Sequence, residues 1–484
     1  MTALCFVGHS FKYELEAVTR LFIKIKHFDF YYDEVPEAEN RIILRRKKCR
    51  SSLSFSCIIR LGDRQLRTFK RRAPDLEKDE EEYTLCRMLY DSLCSLTRLR
   101  PKWGMITGIR PVRMANKLLG AGYDRAGLYE HFRKRYDVSP EKLDLMYETA
   151  RTQKALLEVD TKKSCAVYVS IPFCPQRCSY CSFVSQSIAS AKHLIPEYLE
   201  LLAREIRLTA DFLKSYGLQV DSIYFGGGTP TSLEAEQLSF LMSAIEENFD
   251  LSSLREYCIE AGRADTITYE KCLAIKQGGA DRISVNPQTF TDEVLFGVGR
   301  NIPAAMTLKA YEEARRAGID TINMDFIAGL PGESPESFAR TIDRAVELLP
   351  ENITVHTLTL KRSADLYMEW KTNINSPVEQ MTDYAGKRLR EAGYAPYYLY
   401  RQKNTLENLE NVGYTLPGRA GIYNILIMEE IQSIIGMGAA ASSKIVEANG
   451  KITRVHNYKF PYEYIRNFDK LMKKKFDGFA AVLG

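Results

Sequence analysis

No run of about 18 apolar residues occurs anywhere in the 484-residue chain, so no membrane-spanning helix is expected. The opening Met-Thr-Ala-Leu-Cys-Phe-Val lacks a basic segment followed by a long apolar stretch, so no secretory leader is expected either. No internal repeat or low-complexity segment stands out. A disulfide framework is not indicated: the eleven cysteines are an odd number in a large chain, and a reducing, cytoplasmic setting suits them better. Acid is almost missing from Arg41 to Ala73, where twelve Lys and Arg stand against Asp63 alone. An acidic run, Asp75 to Glu82, follows at once. The remaining composition is ordinary for a globular protein, with 45% hydrophobic and 27% charged residues. The net charge of +5 mildly favours acidic ligands and decides nothing by itself.

At roughly 150 residues per domain the length implies two to three domains. Residues 1 to about 75 read as short strands around one helix. Ser52 to Ile58 alternates polar and apolar, as a half-buried strand does. From Glu77 to Val159 the pattern turns helical, over Tyr83–Leu96, Val112–Leu119 and Lys142–Leu157, with Pro111 and Pro140 near helix starts. Strand–helix alternation begins near Cys165. Strands are predicted at Val167–Ile171, Ser222–Phe225, Glu256–Glu260, Arg282–Val285, Thr321–Phe326 and Thr354–Leu360. Helical patterns at 195–215, 234–247, 266–277, 302–317 and 334–348 separate them. Such alternation implies a parallel sheet. Curved, it becomes a partial (β/α)6 barrel with its active site at the C-terminal strand ends. A helix near 376–392, a strand Pro396–Tyr400 and then helices to the end complete the reading. The expected domains are an α+β unit over 1–160, a core over 161–365 and a mixed region over 366–484 that covers the substrate.

Chemistry concentrates in Cys174-Pro-Gln-Arg-Cys178-Ser-Tyr-Cys181, three cysteines within eight residues. Thiolates so spaced can wrap one soft metal centre. A structural zinc site ordinarily takes a fourth Cys or His at short range. None follows in the loop, and His193 is twelve residues beyond Cys181. Inert buried cysteines are the blandest alternative. In the third reading, three thiolates hold a 4Fe–4S cluster and leave one iron open to an outside ligand. The triplet directly follows the first barrel strand, at the end where barrel enzymes keep their sites.

A three-cysteine cluster there resembles the radical SAM superfamily, whose C-x3-C-x2-C motif carries an aromatic before the last Cys; Tyr180 stands in that place. In that chemistry the open iron chelates the methionine portion of S-adenosylmethionine (SAM). One electron then enters the sulfonium, which calls for a potential near roughly −700 mV. The resulting deoxyadenosyl radical abstracts hydrogen, while the protein supplies placement and exclusion of water and oxygen. Further residues fall at successive strand ends: Gly226-Gly227-Gly228-Thr229-Pro230, Glu260, Gln288 with Arg300 twelve residues later, and Asp325. Glycines at a strand end expose backbone to a ligand or simply make a tight turn.

Together these segments resemble one branch, the oxygen-independent coproporphyrinogen III oxidases (dehydrogenases) and their relatives. Tyr168-Val-Ser-Ile-Pro-Phe-Cys174 is similar to the opening Y-x-H-I-P-F-C, and Gly226–Pro230 matches G-G-G-T-P. Gln288 with Arg300 matches Q-x-F…R, and Asp325 lies in N-x-D-x-I-x-G-L-P. The resemblance implies that Arg300 grips the SAM carboxylate, Asp325 its ribose, and Gly227 and Gly228 its amino group. Glu260 and Gln288 would complete the pocket, with Tyr168 near the sulfonium. It covers residues 165 to about 365 well and the C-terminal part loosely. The N-terminal 160 residues look like a long variant that carries the Trp103–Arg113 stretch. Two positions depart from the oxidase pattern. A fourth cysteine is replaced by Phe183, as in relatives thought to carry haem, and the His before Ile-Pro-Phe-Cys is Ser170.

The implied reaction converts two propionates of coproporphyrinogen III to vinyl groups, consuming two SAM. It implies a low-potential donor such as flavodoxin or ferredoxin. A substrate with four carboxylates calls for basic anchors. Lys361, Arg362 and Arg401 are the candidates, each weighed against a plain surface charge. The Tyr397-Tyr398-Leu-Tyr400 strand suits either a macrocycle cover or core packing. Two other functions stay open: a haem-binding chaperone that keeps the cluster, and a radical enzyme acting on RNA through the basic Arg41–Arg72 stretch. For that stretch, a sheet with one charged face is the simpler expectation, and nucleic acid the weaker one.

Overall fold

The computed structural model describes residues 2–25, 27–108, 110–158, 163–183, 185–359, 361, 364–366, 377–403, 405–447 and 449–483. They form two compact units. One comprises Met1–Pro111 and Lys117–Leu145, the other Val112–Asn116 and Met146–Gly484.

In the first unit, β1 (Thr2–Val7), β2 (Asp29–Tyr32), β3 (Asn40–Cys49), β4 (Ser52–Leu61) and β5 (Arg64–Arg72) form one sheet in the order β2-β1-β3-β4-β5. The alternation in β4 sends Leu53, Phe55, Cys57 and Ile59 to a single buried face. That face packs on helices Tyr13–Arg20 and Lys78–Thr97, with Leu15, Val18, Leu85 and Leu89 in the shared core. The second helix carries Asp79, Glu80 and Glu81 in its first turn, where negative charge suits the helix dipole. The acidic run of the sequence is therefore a helix start, and Glu81 clamps Arg46 with two hydrogen bonds of 2.7 Å.

The second unit is a partial (β/α)6 barrel. Its parallel strands are β6 (Ser164–Ile171), then, after the short ribbon of β7 (Phe173–Cys174) and β8 (Gln186–Ser187), β9 (Gln219–Gly227), β10 (Glu256–Ala261), β11 (Arg282–Val285), β12 (Thr321–Ala328) and β13 (Asn352–Thr357). They neighbour one another in chain order through helices Ile195–Ser215, Ala235–Asn248, Tyr269–Gln277, Ala304–Arg316 and Pro335–Leu348. Near-continuous burial along the strands matches a parallel sheet covered on both faces. None of the described helices is long and apolar enough to cross a membrane.

The C-terminal region departs from the sequence reading. After the helix Val378–Glu391 and β14 (Ala395–Arg401), the chain is not helical to its end. It forms β15 (Glu410–Thr415), β16 (Ser433–Met437), β17 (Ser442–Val446) and β18 (Ile452–His456). These strands widen the barrel sheet to eleven: β15 runs antiparallel to β13, and β16 lies parallel to β6. Residues beyond 366 are thus built into the barrel sheet itself. A five-residue apolar run such as Ser-Ile-Ile-Gly-Met has no period that separates strand from helix. Its partner β6, far away in sequence, decides.

Two buried carboxylates fasten this region. Glu256 accepts from Ile422 N (2.6 Å) and Tyr423 N (3.2 Å) at the start of helix Ile422–Glu429 and lies 3.4 Å from Arg282. Glu205 pairs with Lys475 at 2.7 Å, both side chains wholly buried, and accepts from Tyr464 Oη and Gly438 N. Ala439 N then donates to Tyr198 Oη, which donates to Ser170 O near the end of β6.

Candidate active site at the barrel mouth

The cysteine loop leaves the barrel where β6 ends. The β7–β8 ribbon closes it at its base, with Gln186 N donating to Pro172 O at 2.8 Å. Inside the loop Cys181 N donates to Cys178 O at 3.0 Å, a turn that brings these two positions near each other. The Cys174 thiol lies 3.4 Å from Thr229 Oγ1. A buried guanidinium, Arg263, sits 3.6 Å from Cys178 Sγ, donates to Gln176 O at 3.2 Å, and is held by Asp265 at 2.7 Å. Burial raises the Cys181 thiol, opposed by a hydrogen bond from the chain at Phe183. Ser179 N donates to Val298 O, and Leu366 N to Ser179 O, so segments after β11 and β13 brace the loop.

The glycine strip lies directly beside this loop. Gly227 has φ +113°, a conformation that side chains disfavour. A Cβ on Gly228 would stand 2.4 Å from Phe173 O, and Gly228 N donates to Ile171 O at 2.7 Å. Thr229 N donates to Phe173 O at 2.8 Å. The absence of side chains lets this strand end press against the backbone that carries Cys174.

Two carboxylates face the interior from neighbouring parts of the sheet, and their environments drive them apart. Burial, then the like charge of Asp325, pushes Glu260 up to about 8. Burial pulls Asp325 upward too, but the His356 imidazole, the Asn323 amide and the Thr354 hydroxyl outweigh it and hold the carboxyl below its ordinary range. Asn323 Nδ2 reaches Asp325 Oδ1 at 2.7 Å, and His356 Nε2 lies 3.6 Å from Oδ2. Tyr400 Oη lies 3.3 Å from the other nitrogen of His356. Gln288 adopts φ +71°, its backbone bridging to Asp325 O and Ile327 N. Such a backbone in a non-glycine residue is held only by its surroundings. Arg300 is buried and caps Gly262 O and Asn286 O, with Nη1 3.5 Å from Tyr180 Oη. Tyr168 stacks with Tyr224 at 6.2 Å and with Tyr423 at 6.3 Å, so the helix Ile422–Glu429 contributes a ring to the interior.

The radical SAM superfamily profile matches residues 168–345, the stretch from Tyr168 to the last barrel helix. The oxygen-independent coproporphyrinogen-III oxidase-like protein HemZ of Bacillus subtilis is 39% identical over 414 residues, 83% of each chain. The chain belongs to the radical SAM superfamily, in the oxygen-independent coproporphyrinogen III oxidase-like family. The haem chaperone HemW of B. subtilis is 34% identical over 203 residues, 42% of this chain and 52% of its own length. Coproporphyrinogen III oxidase (HemN) from Escherichia coli, described as a radical SAM enzyme, superposes with a TM-score of 0.52 at 25% identity. It covers 67% of this chain and 73% of its own.

A radical SAM domain implies a 4Fe–4S cluster and SAM, and the residues present fit both. The three thiols share one braced loop, next to a buried cation and a hydroxyl that can donate to sulfur. Among the described residues, no group of three or more His, Cys, Asp and Glu is arranged to hold a metal ion by itself. Beside Arg300, the Asn286 Oδ1 and Gln288 Oε1 atoms are buried without a hydrogen-bond partner. Buried acceptors of this kind call for a donor, which water or a ligand can supply.

Of the residues singled out from sequence, Cys174, Cys178, Cys181, Tyr180, Gly226, Gly227, Gly228, Thr229, Glu260 and Gln288 lie at or just beyond the C-terminal ends of barrel strands, Tyr168 and Asp325 lie within β6 and β12 three residues before their ends, and Arg300 lies on the connection between β11 and β12. The three basic candidates fare differently. Lys361 is exposed over most of its surface, yet partial desolvation of its amine lowers it and the Cys181 thiol opposes this, which sets it near the cysteine loop. Arg362 lies outside the described residues. Arg401 is buried in the sheet beside Glu410 and donates to Asn408 O at 2.9 Å. Tyr397 and Tyr398 are core residues, and Tyr398 Oη meets Thr354. Sequence reasoning missed Arg263, Asn286 and His356. Arg263 follows Glu260 by three residues at a strand end. His356 shares the inward parity of Thr354, which pairs with Asp325 across β12–β13.

Proposed function

We propose that this protein is a radical SAM oxidoreductase that decarboxylates coproporphyrinogen III to protoporphyrinogen IX. The observation that carries the reading is the braced three-thiol loop beside the split carboxylate pair, in a chain that matches HemZ over 83% of both lengths. At each of two propionates one hydrogen atom passes to the carbon radical, CO2 leaves and one electron passes to a one-electron acceptor, which leaves a vinyl group. When bound, the cluster and SAM supply a one-electron C–S cleavage and the carbon radical that removes the hydrogen.

The chain's own residues do the rest. Cys174, Cys178 and Cys181 would ligate three irons, with Arg263 offsetting charge at Cys178. Asp325, kept ionised by His356, would accept from ribose hydroxyls, and Arg300 would face the methionine carboxylate. Gly227 and Gly228 would admit the amino group against bare backbone. Glu260, Gln288 and Thr229 would close the pocket. Tyr168, stacked and half-buried, would shield the sulfonium. Lys361, beside the loop, would meet a propionate. A flavodoxin- or ferredoxin-like donor suits the low potential.

A second reading, haem carriage, is favoured by one feature. Phe183, two residues after Cys181, is 63% exposed where the oxidase pattern has a fourth cysteine. An exposed ring beside the loop suits a flat apolar ligand. Anaerobic incubation of the reconstituted protein with coproporphyrinogen III, SAM and a reductant separates the two. Protoporphyrin fluorescence after oxidation is the expected result. Stable haem binding with no turnover would replace the enzyme reading with the carrier. Cys178→Ala is expected to abolish cluster assembly and SAM cleavage together.

A further inference from the structure

The sheet of the first unit has a face that the barrel chemistry does not use. Directly opposed residues in a sheet share a face. On the side away from the helices, the register sets Arg41 opposite Arg60, Arg45 opposite Ser56, and Lys47 opposite Ser54. Across the next ladder, Arg67 stands opposite Ile58, Phe69 opposite Ser56, and Arg71 opposite Ser54. Arg45, Lys47, Arg60, Arg67 and Arg71 are exposed, and among the described residues none of them forms an ion pair. No Asp or Glu occurs in β3, β4 or β5.

Long stems can shelter apolar surface, and Ile43 and Ile58 lie on this face in a small cluster with Ala3, Cys5, Val7, Tyr31 and Ala38. Shelter requires the stems, not a single sign of charge. A face that needed only cover would mix signs, and like charges directly opposed, as Arg41 and Arg60 are, destabilise a sheet. Asp29, at the β2 edge, is the one acid among the strand residues of this face, and the one-sided charge of β3, β4 and β5 points to a polyanion. Arg45 and Lys47 stand about 6.8 Å apart along β3, Arg41 and Arg60 about 4.8 Å apart between strands, and Lys47 and Arg71 about 9.6 Å apart across the intervening Ser54. The hydroxyls of Ser54 and Ser56 lie among them as neutral phosphate donors. In the same field Phe69 is 58% exposed, with the Arg71 guanidinium 5.5 Å from its ring centre. An exposed ring beside cations gives a base something to stack on. No described helix lies on this face to enter a duplex groove.

We propose that this face binds single-stranded nucleic acid through its phosphates, with a base stacked on Phe69. This site is independent of the barrel reaction.

The test uses the full-length protein with its cluster reconstituted, and fluorescein-labelled oligo(U) and oligo(dT) of about 16 nucleotides. With six cations engaged, the affinity should fall with a log–log salt slope of about −4. Arg45→Ser, Lys47→Ser and Arg71→Ser together should reduce the slope to about −2, with circular dichroism and cluster absorbance unchanged. Phe69→Ser should weaken binding about tenfold and keep the slope. Tighter binding of oligo(U) than oligo(dT) would identify RNA as the ligand, and equal binding any single strand. The proposal is overturned by no binding at about 50 mM salt. It is equally overturned by an unchanged slope in the triple variant, or by duplex RNA or polyglutamate binding as tightly as the single strands.

Discussion

Glu260→Gln should stabilise the ligand-free protein at alkaline pH and leave it unchanged in acid. The carboxyl titrates at about 8 in the fold against an ordinary value of 4.5. Below pH 4.5 both the folded and the unfolded chain hold the proton, and the group is neutral in effect. Between pH 4.5 and 8 the unfolded chain releases the proton while the folded chain keeps it, so stability falls as pH rises through this window. At about 1.4 kcal/mol per pH unit the loss is at most about 5 kcal/mol. Glu260 is partly exposed, so water relieves some of it, and about 2–3 kcal/mol is the expected size. An amide of the same shape carries no charge to desolvate. At about 2 °C per kcal/mol, Glu260→Gln should melt about 4–6 °C higher than the parent at pH 9. At pH 5 or below the two should melt nearly together. Near-ultraviolet circular dichroism is the suitable probe, because Tyr168, Tyr224 and Tyr423 stack next to this carboxyl. Identical pH profiles for parent and variant would refute the reasoning. Weaker SAM binding by the variant is a separate measurement and tests the pocket assignment alone.

Arg263→Gln should move the cluster potential to more negative values with the cluster retained, because it removes a cation 3.6 Å from Cys178 Sγ; potentiometric EPR reads this, and an unchanged potential would count against the contact. His356→Phe should let the buried Asp325 carboxyl rise. A group held low gives its benefit above its ordinary pKa and loses it in acid, so the KM for SAM should increase more at pH 6 than at pH 8 with little change in kcat. Lys475→Met should destabilise the second unit by about 3–5 kcal/mol by leaving Glu205 buried and uncompensated; chemical denaturation should show most of this recovered when Glu205→Leu is added.

Much of the barrel was legible in the chain. Its strands are short apolar runs separated by helices of clear period, and a parallel sheet with both faces covered leaves exactly that local imprint. The cysteine triplet was legible for a different reason: three ligands within eight residues need no folding to be neighbours. The glycine strip and Glu260 could be placed because each closes a strand whose end had to lie at the mouth, and Asp325 because it sits on the strand two places along, β12. Arg401 shows the limit. Its charge suggested an anchor, yet β14 pairs with β15 and turns it toward Glu410 inside the sheet.

By itself, then, the order of residues determined the periodic elements, the thiolate loop and which side chains stand at strand ends, since these depend on neighbours a few positions apart. Tertiary structure alone decided that β16 joins β6, that Arg263 settles against a cysteine sulfur, and that His356 steadies Asp325. Each of these joins segments far apart in the chain, and their energies depend on distance and burial, which exist only once the chain has closed on itself.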